Sequence, residues 1–256
     1  MKYTFWLIAI LMSLGNFSVA QGPPITADKP IMLGAGSFTA RTLTEIRSTE
    51  RGSFTYVPLM MSYLPSSNSA IGVDIPYLNY DIDNGANGSS LADVKITGKY
   101  QFFRKDATGK TFRVVAKTVQ TLPTGEELDL MDLSVGKYAG YYGIVAGYET
   151  LKYGISNELG YNAMPDGTMD ELRYKLGFGL PLLKPQYPNK QLNLFFEYTS
   201  SWLVERDWYQ LLYAQGIQYA RKAITFELSV QVPLVSDFEA GRNLRYSLFF
   251  GGRFTF

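Results

Sequence analysis

Two sets of carboxylates are the first candidates for chemistry, since paired carboxyl groups can act as general acid and base. They are Glu126, Glu127, Asp129 and Asp132 in one polar stretch, and Glu158, Glu197 and Glu227 in three separate stretches. The first set is better explained as a solvated rim that attracts divalent cations. The second set is accompanied by basic residues and is better explained as one half of a series of ion pairs. We therefore predict no catalytic residue.

The absence of His and Cys removes whole classes of site. Ser–His–Asp and Cys–His nucleophiles need an imidazole to carry the proton. Zinc and haem sites held by imidazole or thiolate are excluded as well, and so are disulfides. We expect neither an enzyme nor a bound cofactor or metal. The net charge of +1 also argues against a nucleic-acid partner, which would require a strongly basic surface.

Charged and polar residues occupy every second position in many stretches of the chain. The stretch 223–234, for example, alternates Ile, Phe, Leu and Val with Thr, Glu, Ser and Gln. A strand places alternate side chains on opposite faces, so each stretch has one apolar and one polar face. A face this charged cannot line a dry core, but it can line a water-filled lumen. The predicted lumen-lining residues are Lys95, Lys99, Arg113, Lys117, Glu158, Arg173, Lys175, Glu197, Glu227, Arg245 and Arg253.

Strand-like runs and turn clusters repeat about every 20 residues, as strands of about ten residues with connections would. Phe54–Leu64 is the least regular run, because Pro58 removes a ladder hydrogen bond. About twelve strands result, an even number as in bacterial barrels. The predicted strands are Met32–Ile46, Phe54–Leu64, Ala70–Tyr80, Leu91–Phe103, Thr111–Leu122, Tyr138–Tyr148, Tyr153–Tyr161, Glu171–Leu180, Gln191–Trp202, Trp208–Tyr219, Ala223–Leu234 and Arg245–Phe256.

The last strand, Arg245–Phe256, has one apolar face and ends on an aromatic residue. Aromatic residues at both lipid boundaries are typical of transmembrane β-barrels. The strand resembles the C-terminal strand of bacterial outer-membrane barrels, which their assembly machinery recognises. This resemblance implies that outer-membrane lipids and the barrel-assembly machinery are partners, the latter through Phe256. We expect this strand to close the barrel by pairing with the first strand and with Ala223–Leu234.

The N-terminal region contains a predicted targeting signal followed by a short Pro-rich segment, here called the lead. Lys2, an apolar run over residues 5–12 and the small residues Ser18-Val19-Ala20 predict a cleaved signal peptide over 1–20. The apolar run is shorter than the roughly 20 residues of a spanning helix. Residues 21–30 are Pro-rich and form either a periplasmic extension or a short plug. Residues 31–256 then form one all-β, antiparallel transmembrane barrel in the bacterial outer membrane.

The connections support this arrangement if both termini are periplasmic. Connections after even-numbered strands are predicted to be short and basic, and most of those after odd-numbered strands longer and acidic. A soluble β-barrel with its apolar face inward would show the same alternation along its strands. The signal peptide, strand length, connections and terminal Phe favour the membrane.

Several landmarks resemble one family in their order along the chain. They are Asp74-Ile75-Pro76-Tyr77, the stretch 90–100 (SLADVKITGKY), Thr121-Leu122-Pro123-Thr124-Gly125 and Asn157-Glu158-Leu159-Gly160-Tyr161. They resemble the outer-membrane transporter family of the MetA pathway of phenol degradation, across nearly the whole mature chain. The resemblance implies a transporter barrel, with hydrophobic or aromatic compounds as the cargo. It also implies lateral diffusion into the membrane, for which the irregular strand Phe54–Leu64 is the candidate opening.

The predicted function is passive diffusion of small solutes through the lumen. Eight strands enclose a filled interior and sixteen or more leave an open channel, so about twelve indicate a narrow or plugged pore. The alternative is a surface or structural barrel that transports nothing and binds cations or partners through acidic loops.

Overall fold

The computed structural model describes residues 23–83, 87–126, 134–167, 170–183, 190–238 and 243–256. The predicted signal peptide over 1–20 and the acidic residues Glu127, Asp129 and Asp132 lie outside these described residues. Within them, no helix has the length and apolar character needed to cross a membrane.

The described chain folds into one antiparallel sheet that closes on itself. Strands β4 and β5 both pair with β3, at Tyr77–Asp81 and Ser69–Asp74 respectively, and together make one spanning strand. The barrel therefore has twelve spanning strands, as predicted. The strands are β1 (Phe38–Thr49), β2 (Gly52–Ser66), β3 (Ser69–Ile82), β4 (Asn87–Leu91), β5 (Lys95–Ala107), β6 (Lys110–Thr121), β7 (Ala139–Thr150), β8 (Gly154–Ala163), β9 (Glu171–Pro181), β10 (Gln191–Leu203), β11 (Trp208–Arg221), β12 (Ile224–Asp237) and β13 (Leu244–Thr255).

The closing pairs are those predicted, because β13 lies between β1 and β12. The start of the first strand is a correction, since β1 begins at Phe38 and not at Met32. Gly34 and Gly36 have φ values of 126° and 80°, which strands do not use. The Gly36 amide donates a hydrogen bond to the Leu64 carbonyl oxygen, so the chain turns there before it enters the sheet.

Two prolines interrupt the ladders on either side of the hairpin formed by β2 and β3. Pro58 and Pro76 lie directly opposite each other. The β1–β2 ladder is interrupted between the pairs Thr42/Leu59 and Glu45/Tyr56, where Pro58 has no N–H to donate. At Pro76 the next strand is divided into β4 and β5, so the predicted strand Leu91–Phe103 is not continuous.

The exposure of side chains on the two faces of the sheet shows which face contacts lipid and which face lines the lumen. The neighbouring residues Leu228 and Ser229 show the pattern, with 57% of Leu228 exposed on the outside and 3% of Ser229 exposed on the inside. Large apolar side chains are exposed around the outer surface, while Glu158, Glu197 and Glu227 are buried inside. A barrel in water would have the reverse arrangement, because water drives apolar surface inward. This is a transmembrane barrel of the outer-membrane type, and the soluble alternative is wrong.

The two ends of the barrel differ in their connections. The end that we name the turn end has the connections 67–68, 108–109, 151–153, 182–190 and 222–223. The opposite end, named the loop end, has 50–51, 83–86, 122–138, 164–170, 204–207 and 238–243. The predicted contrast in length holds for most connections. Residues 182–190 are an exception at the turn end, as 50–51 are at the loop end.

Candidate functional site: the charged lumen

A cavity of about 740 Å³ follows the inside of the barrel. Arg51 and Leu244 line it at the loop end, and Ser62 and Lys222 line it at the turn end. Side chains from nearly every strand contribute to the wall, and many of them are charged. The cavity also contacts the chain that precedes β1.

Residues 23–37, named the lumen segment, lie inside the barrel. Ile25 is fully buried in an apolar cluster with Leu43, Phe195 and Phe249, which face inward from β1, β10 and β13. At its other end the segment reaches the turn end of the barrel, where Gly36 bonds to β2. Burial of one Ile side chain contributes roughly 1.5–3 kcal/mol, so this cluster anchors the segment.

Glu197 binds the lumen segment through its backbone. Its carboxylate accepts hydrogen bonds from the N–H groups of Ile25, Thr26 and Ala27, with N···O distances of 2.5, 2.7 and 3.2 Å. The Thr26 hydroxyl donates a further bond to the same carboxylate. Hydrogen bonds to a charged group are about twice as strong as neutral ones, so Glu197 holds this turn of the segment firmly.

Asp28 adds an ion pair to the opposite wall. Its carboxylate oxygens lie 2.6 Å from Lys99 Nζ and 2.9 Å from Lys117 Nζ. Burial would raise the pKa of the Asp28 carboxyl group, but the two ammonium groups outweigh burial and hold this pKa well below its usual range. A carboxyl group with a lowered pKa stays ionised as the pH falls, so the pair persists at neutral and mildly acidic pH.

Further contacts tie the segment to the wall along its length. Lys175 Nζ donates to the Thr26 carbonyl oxygen at 3.0 Å, and Arg41 Nη2 donates to the Ile25 carbonyl oxygen at 2.8 Å. Gln218 Nε2 donates to the Pro23 carbonyl oxygen at 3.0 Å. Lys29 forms an ion pair with Glu149 near the turn end of β7. Segment and wall therefore match in charge and in hydrogen bonding.

Three inward-facing glycines make room for the segment. A Cβ atom on Gly147 would lie 2.7 Å from Pro30, and one on Gly177 would lie 3.1 Å from Pro24. A Cβ atom on Gly216 would lie 2.4 Å from Ile25 Cδ1. A Cβ atom at 2.4 or 2.7 Å would overlap the segment and one at 3.1 Å would displace it slightly, so larger residues at these positions would require the segment to move.

A second network links charged groups of the wall itself. Glu227 accepts a bond from Arg41 Nε at 2.8 Å and one from Arg253 Nη2 at 2.6 Å. Gln218 Nε2 also donates to Glu227, at 2.9 Å. The Glu227 side chain has no exposed surface, so both guanidinium groups depend on it for their counter-charge.

Ten of the eleven predicted lumen residues have their side chains on the inner face. Beyond the contacts already described, Glu158 accepts bonds from Lys117 and from the Tyr141 hydroxyl, and Arg173 bonds to Glu171. Arg113 lies near the turn end with Asp106. The inward-facing predicted residues are Lys95, Lys99, Arg113, Lys117, Glu158, Arg173, Lys175, Glu197, Glu227 and Arg253.

Arg245 is the exception and is a correction. The register of β1 and β13 shifts so that Ser48 lies opposite Tyr246 and Thr49 lies opposite Leu244. Arg245 is the extra residue at this irregularity, where it is exposed and does not line the cavity, whereas Leu244 does. A bulge redirects side chains in this way, and strict alternation does not anticipate it.

Several residues of the site were not predicted from the sequence. Arg41, Glu45 and Arg47 face the lumen from β1. Their spacing by even numbers of positions, which places them on one face of a strand, could have been recognised in the sequence. Asp28 and Lys29 lie in the Pro-rich stretch 21–30, and the sequence predicts no contact for either of them. Within the described residues, no group of three or more acidic, His or Cys side chains is arranged to hold a metal ion.

Comparison with solved structures finds bacterial outer-membrane barrels. The COG4313 outer membrane channel from Pseudomonas putida F1 matches with a TM-score of 0.61 and 12% identity, over 93% of this chain and 100% of that one. The KdgM porin, solved in complex with disordered oligogalacturonate, matches at 0.55 and 9%, over 86% and 99%. The NanC porin matches at 0.53 and 11%, over 84% and 98%. At these identities the similarity establishes the fold.

No protein-family model matches the sequence, and no curated protein matches it. The resemblance to the transporter family of the MetA pathway therefore stays a prediction. The geometry and the structural matches agree that the chain has the barrel fold of outer-membrane channels and porins.

Proposed function

We propose that this protein is an outer-membrane channel through which small solutes diffuse passively. The observation that carries the proposal is the cavity, which is lined at both ends of the barrel and has charged side chains along its wall. Selective channels use rings of charged groups in this way to attract and pass solutes. The lumen segment narrows the path, so we expect a small pore. No residue of this lumen is assigned a catalytic role.

Planar-bilayer recordings of the refolded full-length chain test the channel. We expect stepwise single-channel currents, because water and ions can follow the charged cavity. The matched pair Thr97→Trp and Ile96→Trp gives the control, since Thr97 lines the cavity and Ile96 is exposed on the outer face. Thr97→Trp should lower the conductance, and Ile96→Trp should leave it unchanged.

Absence of current in a correctly folded barrel would overturn the channel and support the alternative, a surface barrel that transports nothing. That alternative retains one structural basis in the exposed Lys137–Asp166 pair and the polar connections of the loop end.

A second candidate function is lateral release of hydrophobic or aromatic solutes into the membrane. It is favoured by the interrupted β1–β2 ladder at Pro58, which lies in the irregular strand identified from the sequence. On the β2 side of the interruption the lumen wall is mainly apolar, because Tyr56, Pro58 and Met60 face the cavity. A solute without charge could move from this patch between the two strands.

A disulfide across β1 and β2 tests the lateral route. Thr42 and Leu59 lie directly opposite each other beside the interruption, and the natural chain has no Cys. We expect Thr42→Cys/Leu59→Cys to slow uptake of phenol by cells that make the barrel, with recovery on reduction. The control pair Leu194→Cys/Ile217→Cys staples the uninterrupted β10–β11 ladder and should have no effect. Equal uptake by oxidised and reduced Thr42→Cys/Leu59→Cys cells would exclude this route.

A further inference from the structure

The Lys99–Lys117 pair is an unusual element of the lumen wall. The two residues lie directly opposite each other on β5 and β6, and both line the cavity. Like charges at directly opposed positions repel and destabilise a sheet. The Asp28 carboxylate relieves this repulsion by placing one oxygen 2.6 Å from Lys99 Nζ and the other 2.9 Å from Lys117 Nζ. The wall thus contains an anion site, and the lumen segment fills it.

The neighbouring positions show that the wall supplies this pair with less negative charge than it supplies to the pairs beside it. Asp74 lies opposite Lys95, and Glu158 lies opposite Lys175, so each of those pairs combines opposite charges. Glu158 also contacts Lys117 Nζ at 2.9 Å, but the same Glu158 oxygen accepts a hydrogen bond from the Tyr141 hydroxyl group. Positive charge therefore remains in excess on this part of the wall when Asp28 is absent.

A second like-charge pair in the same lumen is balanced differently. Arg41 lies directly opposite Arg253, and Glu227 bridges the two. Glu227 is part of β12, so its carboxylate is a fixed element of the wall. The carboxylate of Asp28 belongs to a segment outside the sheet. Another carboxylate can therefore take its place without any strand pairing being broken. The same chemistry is therefore permanent at one pair and replaceable at the other.

We propose that the Lys99–Lys117 pair binds the carboxylate group of small organic acids in the lumen, with Asp28 as a tethered competitor. The side chains of Lys99 and Asp28 are 22% and 18% exposed, so the site opens to the cavity. Two ammonium groups that each donate to one carboxylate oxygen provide charge-assisted hydrogen bonds, which are stronger than neutral ones. The proposal rests on the proposed channel function, and it names carboxylates as the solute class.

A stability measurement on the full-length chain in detergent tests the site without any flow. We expect the urea midpoint of Asp28→Asn to be higher in potassium acetate than in potassium chloride of equal concentration, because acetate binds the vacated pair. The unmodified chain, in which Asp28 competes with acetate for the pair, should show a smaller difference, and the double variant Asp28→Asn/Lys99→Gln should show none. An equal response of Asp28→Asn to both salts, or a response that persists in the double variant, would overturn the site.

A permeation measurement provides a second test should Asp28→Asn not fold. In a potassium acetate gradient, Lys99→Gln should lower the acetate-to-potassium permeability ratio by about twofold or more, since the wall loses a positive charge. Lys152→Gln, in the connection 151–153 at the turn end, is the control and should leave the ratio unchanged. An unchanged ratio in Lys99→Gln would count against the site. Failure of the channel function shows separately, as absence of current in the unmodified chain.

Discussion

Removal of residues 23–31 is expected to raise the single-channel conductance by about threefold or more, because a barrel of this size leaves little open cross-section beside an internal segment. The segment crosses the lumen between β10, which carries Glu197, and the β5–β6 wall, which carries Lys99 and Lys117. Ile25 packs on Phe195 of β10 and on Leu43 and Phe249 of β1 and β13. Without the segment, the path past these side chains consists of water.

The geometry of the wall explains why the segment obstructs so much of the lumen. The segment lies against Gly147, Gly177 and Gly216 on β7, β9 and β11, and its Asp28 contacts β5 and β6. Removal therefore opens the lumen on several sides at once. Single-channel recording of the deletion variant measures the effect, with the unmodified chain in the same lipid and salt as reference.

A variant with the same residues replaced by Gly and Ser is the control for chain length. It keeps the covalent connection but loses Ile25, Asp28 and the other contacts, so we expect the same rise in conductance. The folded state of both variants is checked by the mobility of unheated protein on SDS gels. If either variant is folded and conducts like the unmodified chain, the segment does not limit the pore.

Glu227→Gln is expected to lower the free energy of unfolding by about 3 kcal/mol or more, the usual cost of leaving a buried charge unpaired. Glu227 is the shared counter-charge of Arg41 and Arg253, at 2.7 and 2.6 Å. Without its charge, two opposed guanidinium groups repel in a site that has little water. Urea unfolding in detergent, followed by tryptophan fluorescence, measures the loss.

Asp166→Asn is the matched control, because it removes a carboxylate from an exposed ion pair. The side chains of Lys137 and Asp166 are 43% and 39% exposed, and such pairs contribute about 0–1 kcal/mol. Adding Arg253→Gln to Glu227→Gln should recover part of the stability, since one of the repelling charges is then gone. A loss in Glu227→Gln no larger than that in Asp166→Asn would show that the lumen water screens this network.

Several features of the protein could be predicted from sequence because they depend on neighbouring residues alone. The alternation in 223–234 places Glu227 on the polar face of its strand whatever the rest of the fold, since the side-chain period of a strand is two. The same reasoning located most strand bounds, and the structure places ten of the eleven predicted residues on the inner face. It failed at β1, where Gly34 and Gly36 turn a strand-like stretch into a segment of the lumen. It also failed at Arg245, where a bulge breaks the period.

The tertiary structure alone decided which of these side chains meet. Glu227 contacts Arg41 across 186 positions of sequence, and Thr26 contacts Glu197 across 171. Such contacts depend on the register of every strand pair and on the closure of the barrel. No local pattern carries this information, because each bulge or turn length shifts all later pairings. The charged residues of the lumen could therefore be predicted from the sequence. That the carboxylate of Asp28 fills the Lys99–Lys117 site could not.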